Sequence, residues 1–155
     1  MLPAKWGGGA WDYFHCITLD YPKKPSNKDK LRYKNFFHNI ILPCCICDSS
    51  YHFFIKEFPP DDYLNDRNGI VFWLYTLHNM VNAKLGKKSA KFSDVIHHYE
   101  KMRVDYTNSK ENLHKIDVFI ANTVKNYKHI TIQKLQSMME KNKKTKVIKM
   151  VTKNK

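Results

Sequence analysis

Apolar residues recur at helical intervals along most of this chain, and glycine and proline punctuate it sparsely. Residues 10–20 form the first such stretch, behind a Trp6-Gly7-Gly8-Gly9 segment that reads as a flexible lead-in. Tyr21-Pro22 and Pro25 stop it, because the residue before a proline avoids helical geometry. Ser26 or Asn27 can cap a second helix running to about residue 41. Pro43 suits the opening of a third, where its missing N–H is no loss, and Pro59-Pro60 ends it after Phe58. A polar loop over 61–68 leads into the longest clean helix, 69–85, with Gly86 as its C-terminal cap. A short helix follows around 93–102. Beyond Asn108, Ile116, Phe119, Ile120, Val124 and Tyr127 share one helical face. Leu135, Met138 and Met139 do the same around a possible break, and the lysine-rich stretch after Lys141 is expected to fray. The pattern predicts an all-α fold of about five helices over residues 1–103, with a basic helical extension over 104–155.

At 155 residues the chain can bury a real core, and 43% hydrophobic with 14% aromatic residues argues against global disorder. No apolar run reaches the roughly 18 residues of a membrane span, and the first residues lack the pattern of a secretory signal. The net charge of +13 is compatible with nucleic acid, an acidic membrane surface or an acidic partner. A Lys, Asn, Tyr and Ile bias running through the whole chain, as AT-rich coding would produce, accounts for it equally well.

Three of the four cysteines fall in Cys44-Cys45-Ile46-Cys47. Cys44 and Cys47 at a helix start suit redox chemistry: the spacing brings the sulfurs within bonding reach, and the helix terminus favours thiolate. Core packing and zinc are the alternatives. Zinc needs further ligands, for which His52 or His97 are the candidates, since no second cysteine pair follows. Cys45 points about 100° away from Cys44 on a helix and reads as a packed or half-exposed bystander. Cys16 reads as a core residue.

The segment from Trp73 to Lys87 is more specific. His78 and Asn82 lie one turn apart with Asn79 beside them, a polar trio in an apolar helix. Such a trio is either a satisfied core network or a site for a planar ligand, with aromatics to stack on a ring and lysines at the helix end to meet phosphate.

The ordered set Trp6-Gly7, Trp11, His15, Tyr21-Pro22, Cys44-x-x-Cys47, His78-Asn79-x-Val81-Asn82 and Lys84-Leu85-Gly86-Lys87 resembles the FAD-linked sulfhydryl oxidases of the Erv/ALR family, over residues 5 to about 100. The resemblance implies a four-helix bundle with a short fifth helix cradling FAD, in a homodimer. It implies thiol oxidation through a Cys44–Cys47 disulfide, with Cys44 attacked by the incoming thiolate and Cys47 facing the flavin. Electrons would pass from protein dithiol substrates, through a thioredoxin-like relay protein in some members, to O2, giving H2O2. Trp6, Gly7, Trp11, His15, Tyr21, His52, Trp73, His78, Asn79, Asn82, Leu85 and Tyr99 are implied cofactor contacts, with Lys84 and Lys87 near the phosphates. Where cellular members carry an arginine after the first glycine, Gly8 stands. Where they carry a structural disulfide, Gly69 and Phe92 stand. No cysteine follows Cys47, so a C-terminal shuttle pair is absent from this sequence, as in the minimal members of large DNA viruses. That likeness implies the cytoplasm of an infected cell or the virion; the alternative is the mitochondrial intermembrane space. Two other classes remain beside this reading: a basic helical nucleic-acid-binding protein and a zinc-bound structural protein.

Overall fold

The computed structural model of the chain describes the backbone of residues 1–103 and 105–153, and side chains through Lys141 except that of residue 104. Among the described residues the secondary structure is helical: α1 (Pro3–Leu19), α2 (Asn27–His38), α3 (Cys45–Glu57), α4 (Arg67–Lys84), α5 (Phe92–Glu100) and α6 (Lys110–Lys153), with a 3-10 turn at Asp61–Tyr63. The expected all-α architecture is present. None of these helices is long and apolar enough to cross a membrane.

α1 begins seven residues earlier than expected and runs straight through Gly7-Gly8-Gly9. Each glycine weakens a helix by about 1 kcal/mol relative to alanine. Packing overrides that cost: Ala10 and Trp11 lean on the core and extend the stripe that continues as Phe14, His15, Thr18 and Leu19. α2 starts as expected. Ser26 Oγ accepts from the Asp29 N–H and the Asp29 carboxylate accepts from the Ser26 N–H, a reciprocal capping box.

The segment expected to be a polar loop over 61–68 is more structured than its composition suggests. Tyr63 and Leu64 are core residues, and Asp66 caps α4 by accepting from the Gly69 N–H at 2.8 Å. α4 therefore starts two residues early. It is buried nearly all round and packs against α1, α5 and α6. At its other end Gly86 takes φ +68°. The Lys87 N–H reaches the Asn82 carbonyl (2.8 Å) and the Gly86 N–H reaches Ala83 (3.2 Å), which closes a Schellman motif at the expected glycine.

Buried hydroxyls and indoles lock the elements together. Tyr51 donates to the Phe37 carbonyl (2.7 Å), Trp73 to Phe58 (3.0 Å) and Tyr21 to Leu64 (2.9 Å). Each of these groups would otherwise be an unpaired donor in the core.

α6 is one continuous helix with no break near Leu135. Its buried stripe is Ile116, Thr123, Tyr127, Thr131 and Met138, with Phe119, Ile120, Val124 and Leu135 packed beside it. Met139, expected on that face, is exposed instead, because it stands one position past Met138 and so about 100° round the helix. The two threonines were invisible to an apolar-periodicity reading; they are buried because each meets a polar partner, Asn68 for Thr123 and Tyr63 for Thr131. The lysine-rich stretch after Lys141, expected to fray, continues α6 in its backbone to Lys153, since lysine is a good helix former. Val104, the expected boundary, lies outside the described residues.

Candidate active site

The loop after α2 delivers Cys44 in extended geometry (φ −154°, ψ 113°) as the N-cap of α3. Cys47, one turn on, is bonded to it, with Cα atoms 5.2 Å apart. The Cys44 sulfur also accepts from the Cys47 N–H at 3.4 Å, so the free amides of the helix start point at the sulfur that caps it. Amides in that place stabilise a thiolate. Asp48 braces the approach: its Oδ1 accepts from the Leu42 N–H at 2.8 Å and its Oδ2 lies 3.6 Å from His52 Nε2. Cys45 and Cys16 are free and exposed. For Cys16 that corrects the expected core position: the stripe of α1 turns Phe14, His15 and Thr18 inward and leaves residue 16 facing out.

A second cluster joins α1, α4 and α5. The rings of Trp11 and His78 stack face to face, 3.9 Å between centroids and 4° apart in plane. His15 Nε2 and His78 Nδ1 are 3.1 Å apart, and His15 stacks on Tyr99 at 4.5 Å. Burial holds His15 down to about 3, with His78 and His98 adding repulsion. His78 is held down to about 4 by burial and by Lys87. Both rings are thus neutral at pH 7, with one nitrogen donating and one accepting. Tyr99 donates to Asp12 (2.9 Å), and burial together with that carboxylate pushes its phenol up.

His15, His78, Asn79 and Tyr99 line a cavity of about 220 Å³, together with Tyr75 and His98. Four expected contacts therefore meet in one place. Asp12, Tyr75 and His98 belong to the same cluster and were not expected. Asp12 stands three residues before His15, the helical spacing that could have revealed it.

The other expected residues are placed as follows. Asn79 clamps the loop after α4: its amide nitrogen donates to the Ala90 carbonyl (3.2 Å) and its amide oxygen accepts from the Ala90 N–H (3.0 Å). Asn82 is half-buried at the end of α4, with no hydrogen bond to its side chain among the described residues. Leu85 and Lys87 are exposed beside it. Lys84 reaches across to Ser50 on α3, and His52 faces outward on that helix. Gly7 stands in open space. Tyr21 and Trp73 differ from expectation. Both are wholly buried with their polar atoms spent on carbonyls, so in this conformation they pack the core and no ligand can reach them.

A large dinucleotide needs ring faces, polar edges and cations, and the residues here supply them. The cavity has room for one ring system rather than the ~300–1,000 Å³ of a typical ligand cleft. Neutral imidazoles and Tyr99 wall it, and Lys84 and Lys87 stand at the end of α4 without carboxylate partners among the described residues. The indole N–H of Trp6 is buried with no acceptor, an orphan that a bound group would satisfy. The donor set therefore fits a planar cofactor with phosphates. The zinc alternative finds no support: Cys44 and Cys47 are bonded to each other, and no group of three metal-type ligands occurs among the described residues.

A probable FAD-linked sulfhydryl oxidase of Acanthamoeba polyphaga mimivirus is 36% identical over 104 residues, which is 65% of this chain and 73% of the relative. The FAD-linked sulfhydryl oxidase of African swine fever virus is 28% identical over 61% of this chain and 80% of its own. The crystal structure of the FAD-binding domain of Erv1 from Saccharomyces cerevisiae superposes with a TM-score of 0.60 at 25% identity, over 65% of this chain and 96% of that one. The sequence model of the Erv1 / Alr family matches residues 8–106, well over half of the chain, and the chain belongs to that family.

Proposed function

We propose that this Erv1/Alr chain is a FAD-dependent sulfhydryl oxidase that forms disulfides in substrate proteins through Cys44 and Cys47. The observation that carries the reading is the Cys44–Cys47 disulfide at the start of α3, inside the family match. A substrate thiolate attacks the Cys44 sulfur, the Cys44–Cys47 bond breaks, and Cys47 leaves as thiolate. The amide at the start of α3 that reaches the Cys44 sulfur favours Cys44 as the thiolate released in the step that follows. A second substrate thiolate then attacks the substrate sulfur of the mixed disulfide and releases Cys44. The substrate leaves as a disulfide, and the electron pair stays on the Cys44–Cys47 dithiol. The chemistry FAD supplies when bound is acceptance of that pair and its delivery to dioxygen, which gives hydrogen peroxide.

Trp6, Trp11, His15, His78, Asn82 and Tyr99 are the residues assigned to hold the ring systems, with Lys84 and Lys87 at the phosphates. Asn79 acts by fixing the loop at Ala90. His52 and Leu85 stay as peripheral contacts of this reading, whereas Tyr21 and Trp73 leave it as core. The family likeness supports a protein dithiol as substrate, with a thioredoxin-like relay as one form of it, and a homodimer. The viral relatives support a place in the infected cell or the virion. Residues 104–155 contribute no cysteine and act as a scaffold. The nucleic-acid alternative, built on the lysines of this segment, gains nothing from the comparisons.

The test is direct. The purified chain should carry non-covalent FAD near one per protomer and produce hydrogen peroxide from dithiothreitol and O2. A folded sample that fails to take up added FAD would rule the reading out.

A further inference from the structure

We propose that the outward face of α3 beside the redox disulfide is a docking surface for the substrate, selecting a bulky apolar residue next to the substrate's reactive cysteine. The proposal rests on the oxidase reading and names the substrate class for that same site.

Ile46 sits within the Cys44-to-Cys47 bridge and is 74% exposed, and Phe53 is 48% exposed. They are seven residues apart, so they share one face of α3 two turns along its axis, about 10 Å. Between them runs an open groove of about 550 Å³ lined by Cys45, Ile46, Ser49, Ser50 and Phe53, with Phe54 and Lys84 also on its lining. Ile41, on the loop that leads to Cys44, is 88% exposed. Exposed apolar side chains scattered singly need no explanation. These flank the one disulfide among the described residues, from both sides.

The occupant follows from the reaction. A thiolate can displace Cys47 only by bringing its sulfur to Cys44, and Cys44 is the N-cap from which Ile46 projects two residues later. Any polypeptide that does so must lay its neighbouring residues over the start of α3. An apolar residue beside its cysteine then meets Ile46 and Phe53 and removes both from water, whereas a small free thiol gains nothing there. The groove therefore separates protein substrates from low-molecular-weight dithiols.

The experiment uses the full-length, FAD-loaded protein with Ile46→Ser, Phe53→Ser and the double variant. Three reductants are compared: dithiothreitol, a Cys-x-x-Cys peptide flanked by Phe and Leu, and the same peptide flanked by Ser. The expected result for the double variant is a loss of about tenfold or more in kcat/KM for the apolar peptide, with the other two reductants within about twofold. Phe53→Leu should keep the apolar preference. Equal losses on all three reductants, or no loss on the apolar peptide, would overturn docking while leaving the oxidase reading in place. Failure of the wild type to oxidise dithiothreitol would overturn the oxidase reading and docking with it. Sedimentation of the variants closes the remaining possibility: dissociation of a wild-type dimer would assign this face to a second copy of the chain and overturn the proposal.

Discussion

Tyr127 fills the space that a side chain at Gly69 would need. A Cβ built on Gly69 would lie 2.9 Å from the Tyr127 ring and would also meet the Tyr63 carbonyl oxygen. The Tyr127 hydroxyl donates to Asp66 Oδ2 at 2.9 Å, while Asp66 Oδ1 caps α4 through the Gly69 N–H. One aspartate thus ties α6 to the start of α4. Tyr63 with Thr131 (2.9 Å) and Asn68 with Thr123 (2.7 Å) repeat the connection on either side. The position where cellular relatives are expected to carry a structural cysteine is here a steric seat for an aromatic ring.

Gly69→Ala should lower stability by about 1–3 kcal/mol, the usual range for overpacking a filled core. Tyr127→Ala should also destabilise. In the Tyr127→Ala background, Gly69→Ala should cost less than alone, because only the Tyr63 carbonyl still blocks the methyl. Urea unfolding of the four proteins gives the coupling, and strictly additive losses would contradict the seat.

Deletion of residues 107–155 should lower the melting temperature and leave dithiothreitol oxidation working below it. The segment buries Ile116, Tyr127 and Met138 against the core but carries no thiol. Loss of turnover in a truncated protein that still binds FAD and melts as before would assign α6 a part in the chemistry.

Cys44→Ser and Cys47→Ser should each abolish peroxide formation from dithiothreitol, and Cys45→Ser should keep most of it. The two inactive variants differ in a second readout. In a Cys45→Ser background with oxidised glutathione, the Cys47→Ser protein should accumulate glutathione on Cys44, which is placed to receive the incoming thiol. The mapped peptide in a mass spectrum decides it, and equal activity loss in Cys45→Ser would show that the wrong pair has been assigned.

His15 and His78 are held down from 6.5 to about 3 and about 4. Between those values and 6.5 the folded chain binds fewer protons than the unfolded chain, so stability rises with pH through that window. It is fully present above pH 6.5 and is lost as pH falls towards 4 and then 3. Urea midpoints should therefore decline between pH 7 and 4.5, before the depressed carboxylates Asp29 and Asp61 titrate. A flat profile over that interval would mean that the two rings ionise freely in the folded state.

Gly8→Ala should stabilise the chain by about 0.5–1 kcal/mol, the usual helical difference between the two residues. Gly8 is exposed within α1, and a Cβ there meets nothing within 4 Å. A lower melting temperature would contradict the helical description of residues 7–9.

The sequence by itself determined the helical class, a cap at Ser26 or Asn27, the glycine terminus at Gly86, the Cys44-x-x-Cys47 spacing and the family. These are local or ordered-motif properties: a capping box, a Schellman motif and a Cys-x-x-Cys spacing each fit within a few residues. Tertiary structure alone decided that α1 crosses three glycines, because packing of Trp11 and Ala10 outweighs a propensity that is legible locally. It decided that Tyr63 and Leu64 enter the core from a stretch that reads as polar. It separated Trp73 and Tyr21, which fill the bundle, from His15 and His78, which border a cavity, although the family resemblance implied all four alike as cofactor contacts. It also buried Thr123 and Thr131, whose partners stand on other elements 55 and 68 residues away. Burial of a polar group depends on whether a distant chain segment brings it a hydrogen-bond partner, and no periodicity along one helix carries that information.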